Sequence, residues 1–292
     1  MSARLVRELA GDGVPVAVTC RVLGISRSGF YEADQRAPSA RAVCDEALAA
    51  TITRIHQASR ATYGAPRVHA ELRLGLGIRC GRKRVARLMR DAGLVGVCHR
   101  RKRRGHRPAP APHEDLVRRD FTASGPDRLW CTDITEHPTS EGRVYCCAVL
   151  DVFTRQVVGW SIADHMRSEL VVDALEMARW RRRPAPGTIV HADRGSQYTS
   201  WIFGHRLREA GLLGSMGRVA SSVDNSMIES FWSTMQRELL DRQQPWATRT
   251  ELASAIFEWI EGFYNPVRRH SGLGYRSPTE FETLHTAADL AA

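Results

Sequence analysis

The spacing of apolar residues changes part-way along the chain, and the change predicts its layout. Up to about residue 94 they recur at helical intervals. In Val14 to Arg36, Cys20, Gly24 and Phe30 fall where a helix-turn-helix wants a small residue, a turn glycine and an apolar anchor, and Ser26 can cap the second helix. From Cys44 onward, Ala49, Ile52, Ile55 and His56 mark one amphipathic helix. Past Tyr63-Gly64-Ala65-Pro66, where Pro66 suits a helix start, the run to Leu94 reads as helix, Gly-containing turn, helix. Val85, Leu88 and Met89 give the last helix an apolar face, while Arg82, Lys83, Arg84, Arg87 and Arg90 fill the rest.

Beyond about Pro126 the pattern becomes alternating. RLWCTDIT, VYCCAVLDVF and QVVGWSIA are three strand-like runs joined by short polar turns, an antiparallel meander. Ser168 opens a helix with Val171, Ala174, Leu175 and Ala178 on one face, Pro184-Ala185-Pro186-Gly187 breaks it, and TIVHAD is a short strand. Helices follow from about Ser200 to Ala210 and from about Asn225 to Leu240, with a strand between them near Leu212 to Ser215. Leu252, Ala255, Ile256, Trp259, Ile260 and Phe263 form a final apolar stripe, core or subunit contact, opened by a Thr248-x-x-Glu251 capping box. The expected class is α/β (α+β): an RNase H-like mixed five-stranded sheet flanked by helices, with a small all-α helix-turn-helix region at the N-terminus. The expected divisions are 1–40, a helix-turn-helix; 41–97, a second such domain; 98–125, a basic Pro-rich linker; 126–285, the catalytic core; and 286–292, a tail.

Composition narrows the class. No apolar run approaches the roughly 18 residues of a membrane span, and the first residues lack a signal-peptide segment, so a cytoplasmic protein without membrane contact is expected. The seven cysteines are odd in number and include no Cys-x-x-Cys pair, which argues against a disulfide framework or a cysteine zinc site and for buried free thiols. The net charge of +10 is concentrated: Arg79 to Arg107 holds twelve Arg or Lys and one acid, Asp91, so the remainder sums to −1. A positive stripe on a near-neutral protein is the footprint of a polyanion binder. Besides the arginine-rich helix, Arg100, Arg101, Lys102, Arg103 and Arg104 in the linker are expected to track a phosphate backbone.

Three acids stand out for chemistry. Alternation puts Leu129, Cys131 and Asp133 on one strand face, so an otherwise apolar face carries a single carboxylate. Asp193 ends the TIVHAD strand before the polar, Gly-containing loop RGSQYTS, and Glu229 lies near the start of a helix. Carboxylates at strand ends and on a facing helix suit two hard divalent ions, the arrangement that phosphodiester cleavage and strand transfer require. Each acid also has a plain structural use: Asp133 capping a turn, Asp193 bracing its loop, Ser226-x-x-Glu229 forming a capping box. His191, two residues before Asp193, is read as a supporting or core residue.

Four motifs carry a resemblance: YGAPRVHAELR at 63–73, HADRGSQYTS at 191–200, DNSMIESFW at 224–232 and YNPVRRHSGLGYRSPTEF at 264–281. Together they resemble the OrfB-type transposases of bacterial insertion sequences, whose core is similar to retroviral integrases. The resemblance implies a DDE triad mapping onto Asp133, Asp193 and Glu229, two Mg2+ or Mn2+ ions, and double-stranded DNA, element ends and target, as partner. It also implies nucleoid association, a homo-oligomer on DNA to pair two ends, and a frameshift fusion with an upstream DNA-binding protein. The family often places Lys or Arg seven residues after the catalytic Glu; here that position is Gln236, with Arg237 next, which leaves this DNA-end contact in doubt. Arg268, Arg269 and His270 are further candidate DNA contacts. Two rival classes are weighed. A tyrosine recombinase could use Arg269, His270 and Tyr275, but Leu273 stands where it needs Arg. A non-enzymatic DNA-binding regulator or inactive remnant needs only the basic stripe and the helix-turn-helix patterns.

Overall fold

β-branched and apolar residues at alternate positions build β1 (Leu129–Thr139), β2 (Gly142–Asp151) and β3 (Val157–Ala163) into an antiparallel meander, as the pattern predicts. A computed structural model describes residues 2–37, 39–97, 117, 122–193, 195–216, 226–242 and 245–291. Two short strands, β4 (Ile189–Ala192) and β5 (Leu213–Met216), extend the sheet in parallel from β1, giving the order β3-β2-β1-β4-β5. This is the mixed five-stranded sheet expected. β1 runs four residues past the predicted Thr135 and includes Pro138. β4 pairs with Leu129 to Thr132, so among the described strands the far half of β1 is paired on one side only, where the missing N–H of proline costs no ladder bond.

Helices cover both faces. α7 (Ser168–Arg182) and α8 (Trp201–Glu209) lie over the face carrying Trp130, Cys147, Val149, Val190 and Ala192, with Leu170, Val171, Ala174, Leu175, Ala178, Phe203 and Leu207 buried against it. The close approach of α7 requires Gly159, since a Cβ there would come within 2.3 Å of the Ala174 carbonyl. The opposite face, with Leu129, Cys131 and Asp133, receives α9 (Ser226–Glu238) and α10 (Arg249–Trp259). The apolar stripe on α10 is core: Leu252, Ile256, Trp259, Ile260 and Phe263 are buried, although the α-helix gives way to a π-turn over Ile260–Tyr264. Thr248 caps α10 by accepting from the Glu251 amide, while Glu251 takes the Ala247 amide in return. Asn265 seals the edge of β3 by bonding both the N–H and the carbonyl of Val157.

The described chain packs as two compact units, Met1–Thr53 and Arg54–Ala292, divided within α4 (Ala40–Ala58). The first contains α1 (Ser2–Gly11), which the apolar pattern does not foretell, then α2 (Val16–Val22) and α3 (Arg27–Gln35). Val6, Cys20 and Phe30 form its small core, Gly24 takes positive φ at the turn, and Ser26 caps α3 at the Gly29 amide. The second unit includes α5 (Ala65–Leu74) and α6 (Arg82–Asp91) together with the sheet. α11 (Pro278–Ala291) continues through most of the segment 286–292 read as a tail. The capping of its first turn by Ser277 and the helix-forming run TLHTAADLA leave nothing to stop it earlier. Four of the six described cysteines are buried free thiols; Cys44 is exposed and Cys80 half-buried.

Two motifs some 200 residues apart meet in this second unit. The Tyr63 hydroxyl donates to the Val267 carbonyl and accepts from the Arg269 amide at 2.7 Å. Arg269 pairs with Glu71 of α5 and Glu280 of α11, each at 2.6 Å, and Arg268 grips Glu238 of α9 through two bonds of 2.7 Å. Both arginines are buried. Through these pairs their guanidinium groups hold α5, α9 and α11 together.

Candidate active site

Parallel pairing of β1 with β4 decides where the two aspartates go. Thr132 lies opposite Ala192, and one step further along both strands are Asp133 and Asp193. Side chains at matching positions of parallel neighbours point to the same face. Two carboxylates thus share one end of the central strand pair, on the face that α9 covers.

Asp133 is half-buried, and its environment resists ionisation. Burial, then the negative charge of Asp193 and more weakly that of Glu229, push its carboxyl from an ordinary 3.8 up to about 7, while bonds from the Ile134 amide and Trp232 act in the other direction. The Trp232 indole N–H donates to Asp133 Oδ2 at 3.1 Å. Asp193 is exposed, and its Oδ1 accepts from the Gly195 amide at 2.9 Å, so the loop-bracing role is present alongside any other. Gly195 permits that approach, since a Cβ would stand 3.1 Å from the same oxygen. Glu229 sits in the first turn of α9 on the solvent side, with its carboxyl raised by partial burial. Trp232 is three residues on, on the same helical face, and so links the helix bearing Glu229 directly to Asp133.

The floor beneath the site is polar but closed. Thr132 Oγ1 lies 3.2 Å from the buried Tyr198 hydroxyl, tying β1 to the loop after β4. His191 is buried and bonds Ser215 of β5 at 3.0 Å, tying β4 to β5. Among the described residues no three His, Cys, Asp or Glu side chains converge into a finished metal cage. The donor set nonetheless fits a hard cation: two adjacent carboxylates, one held partly protonated for want of positive charge, with a third acid on the facing helix. Mg2+ keeps several of its waters and is commonly bound by one or two carboxylates.

On the candidate DNA surfaces, Arg82, Lys83 and Arg90 of α6 are exposed, while Arg84 and Arg87 are half-buried and Arg87 pairs with Asp91 at 3.6 Å. Val85, Leu88 and Met89 are buried as the apolar face predicts. Gln236 donates to Asp241 at 2.6 Å, and Arg237 bonds Ser233 within α9. Arg100, Arg101, Lys102, Arg103 and Arg104 lie outside the described residues. The residue missed from sequence is Trp232. Its signal was available, since i to i+3 spacing puts it beside Glu229.

A mixed sheet in this order, with helices on both faces, is the arrangement of an integrase core, the scaffold of a polynucleotidyl transferase. Models described as an integrase core domain match residues 123–222 and 211–278, and one described as an HTH-like domain matches 44–102. The chain is 39% identical over 253 residues to a transposase for insertion sequence element IS904 of Lactococcus lactis, covering 86% of this chain and 99% of that one. It is 39% identical to a transposase for IS629 of Shigella sonnei, covering 95% and 96%. It is 37% identical to the transposase InsF for IS3A of Escherichia coli K12, covering 93% and 95%. The chain belongs to the transposases of bacterial insertion sequences. No helix of the described residues is long and apolar enough to cross a membrane.

Proposed function

We propose that this transposase cleaves DNA at the ends of an insertion sequence and joins the freed 3′ ends to a target, using Mg2+ or Mn2+ held by Asp133, Asp193 and Glu229. The observation that carries this reading is the placement of Asp133 beside Asp193, with a carboxyl lifted to about 7 by burial and by its acidic neighbours. An unpaired carboxylate there is costly unless a cation offsets it. When bound, a pair of such ions activates the attacking oxygen and stabilises the leaving one.

The residues divide the work. Asp133, on which both other acids act, would hold the ions together with Asp193 and Glu229. The Trp232 indole and the Ile134 amide orient the Asp133 carboxylate. Gly195 does the same for Asp193. Asp133 must release its proton to act as a ligand, so metal uptake liberates protons and strengthens as pH rises through 7. Exposed arginines of α6, the basic segment at 100–104, and Gln236 with Arg237 supply phosphate contacts that place the duplex. The chain acts as a multimer on two DNA ends, associated with the nucleoid in the cytoplasm, and can be joined by frameshift to an upstream DNA-binding protein.

The test is incubation of the full chain with Mg2+ and DNA carrying the genomic flanks of its own element. Wild type is expected to nick at the element ends and Glu229→Gln to bind but leave them intact. Equal nicking by the two proteins refutes the triad.

A further inference from the structure

α9 has two working faces. Glu229 and Trp232 look toward Asp133; Met227, Ser230 and Thr234, on the other side of the helix, line a separate cavity of about 230 Å³. That is several times the roughly 30 Å³ share of one water. Its polar lining is dominated by three guanidinium groups from three distant segments: Arg67 of α5, Arg155 of the β2–β3 turn, and Arg268 after the π-turn, with His270 and Ser271 beside them.

From these contacts we infer that this cavity is a phosphate subsite, taking a DNA backbone phosphate other than the one undergoing reaction. The inference deepens the proposed function and rests on DNA being its substrate.

The first support is a charge imbalance. Arg268 and Arg67 share one carboxylate, Glu238, with Arg67 only at 3.3 Å. Among the described residues the hydrogen bond of the Arg155 guanidinium is to the thioether of Met227, a weak acceptor. Asp151 is close enough to act on Arg155, yet its oxygens are taken by the Thr154 amide and hydroxyl and the Asp127 amide. Three cations therefore face one ion-paired acid. The second support is convergence: Arg268, Arg67 and Arg155 all act on His270, and with burial of its ring they keep it neutral. Burial and then Arg268 also hold Arg67 below its ordinary value. An oxyanion would relieve that repulsion. The third is backbone geometry. Arg155 has φ of +62°, a conformation L-residues adopt at a cost and which persists where surrounding bonds enforce it, here the Asp151 contacts to the same turn. The turn is built to present this side chain. Ser271 and Gly272 on the rim are exposed, so a phosphodiester can enter from solvent.

Phosphate contacts are independent of sequence, so any duplex can probe the site. The full chain is titrated onto a labelled duplex over a salt series. Arg155→Gln is expected to weaken binding about 3- to 10-fold and to reduce the slope of log affinity against log salt by about one, the signature of one lost phosphate. Ser271→Glu, which keeps all three arginines and adds a negative charge at the rim, is expected to do the same; it decides the matter if Arg155→Gln fails to fold. Inorganic phosphate is expected to compete with the duplex more than chloride at equal ionic strength, and only in wild type. Unchanged slopes in folded variants overturn the subsite. Phosphate competition without a slope change also overturns it, because the ligand is then the free ion. Cleavage does not enter this readout, so the triad and the subsite can fail separately.

Discussion

Acids lie against both ends of α9, and the two ends are handled in opposite ways. Near its C-terminus, Glu238 is 6% exposed and clamped by Arg268 through two bonds, with Arg67 as a further partner. Near its N-terminus, Asp133 is held by a neutral indole and faced by two more acids. The first arrangement neutralises charge and joins elements; the second concentrates like charge at a cost. A fold does not retain the second for stability. The difference shows which acid holds the protein together and which is kept ready for a cation.

The strongest way to break this comparison is to remove the charge at each end. Asp133→Asn is expected to lower Mg2+-dependent nicking on the order of 10³-fold, about 4 kcal/mol in the barrier, with duplex affinity nearly unchanged. Nicking at the wild-type rate means that Asp133 is not a ligand. Glu238→Gln should leave Arg268 buried without its counter-charge and cost about 3–5 kcal/mol, read as a fall in Tm by thermal unfolding. A Tm within a degree of wild type removes the structural role assigned to Glu238.

Titration sharpens the contrast further. Asp133 takes its proton near 7 in the folded chain and near 3.8 when unfolded, so between these values the native state holds a proton that the unfolded state has lost. Metal-free stability is expected to fall as pH rises from about 4 to 7, with this contribution fully present only below that window. Asp133→Asn should flatten the decline, and Mg2+ should oppose it near pH 7; calorimetry with and without metal measures both. A smaller effect is expected from Trp232→Phe, which removes a bond favouring the carboxylate: the pH midpoint for Mg2+-dependent nicking should move upward while kcat at high pH is largely kept. The smallest concerns Gln236→Lys, expected to retain cleavage, since a lysine can meet Asp241 as the glutamine amide does. A folded but inactive Gln236→Lys protein would show a special role for the amide.

Much of the fold was legible because it rests on short-range pattern. Alternation in RLWCTDIT and VYCCAVLDVF marked the meander, Ser26 and Thr248 marked helix starts, and Val85, Leu88 and Met89 marked the buried face of α6. The extent of β1 and the π-turn after Trp259 were not legible, because each depends on what lies alongside: a short β4 that stops pairing before Pro138, and a core that receives Ile260 and Phe263. Arg268 and Arg269 read as candidate DNA contacts because a basic pair in a polar motif looks exposed. Nothing local announces that Glu238, Glu71 and Glu280 will meet it.

By itself the sequence determined which residue types were on hand and on which face of each element they fall: one acid on an apolar strand face, another at a strand end, a third on a helix. That much follows from periods of two and 3.6 residues, which are properties of the local backbone. Only tertiary structure decided that β4 runs parallel to β1 in the register that sets Asp193 beside Asp133, that Trp232 reaches that pair, and that Arg155 turns away toward Arg67 and Arg268. Those outcomes arise from long-range pairing and burial, where a charge takes its meaning from neighbours far away along the chain.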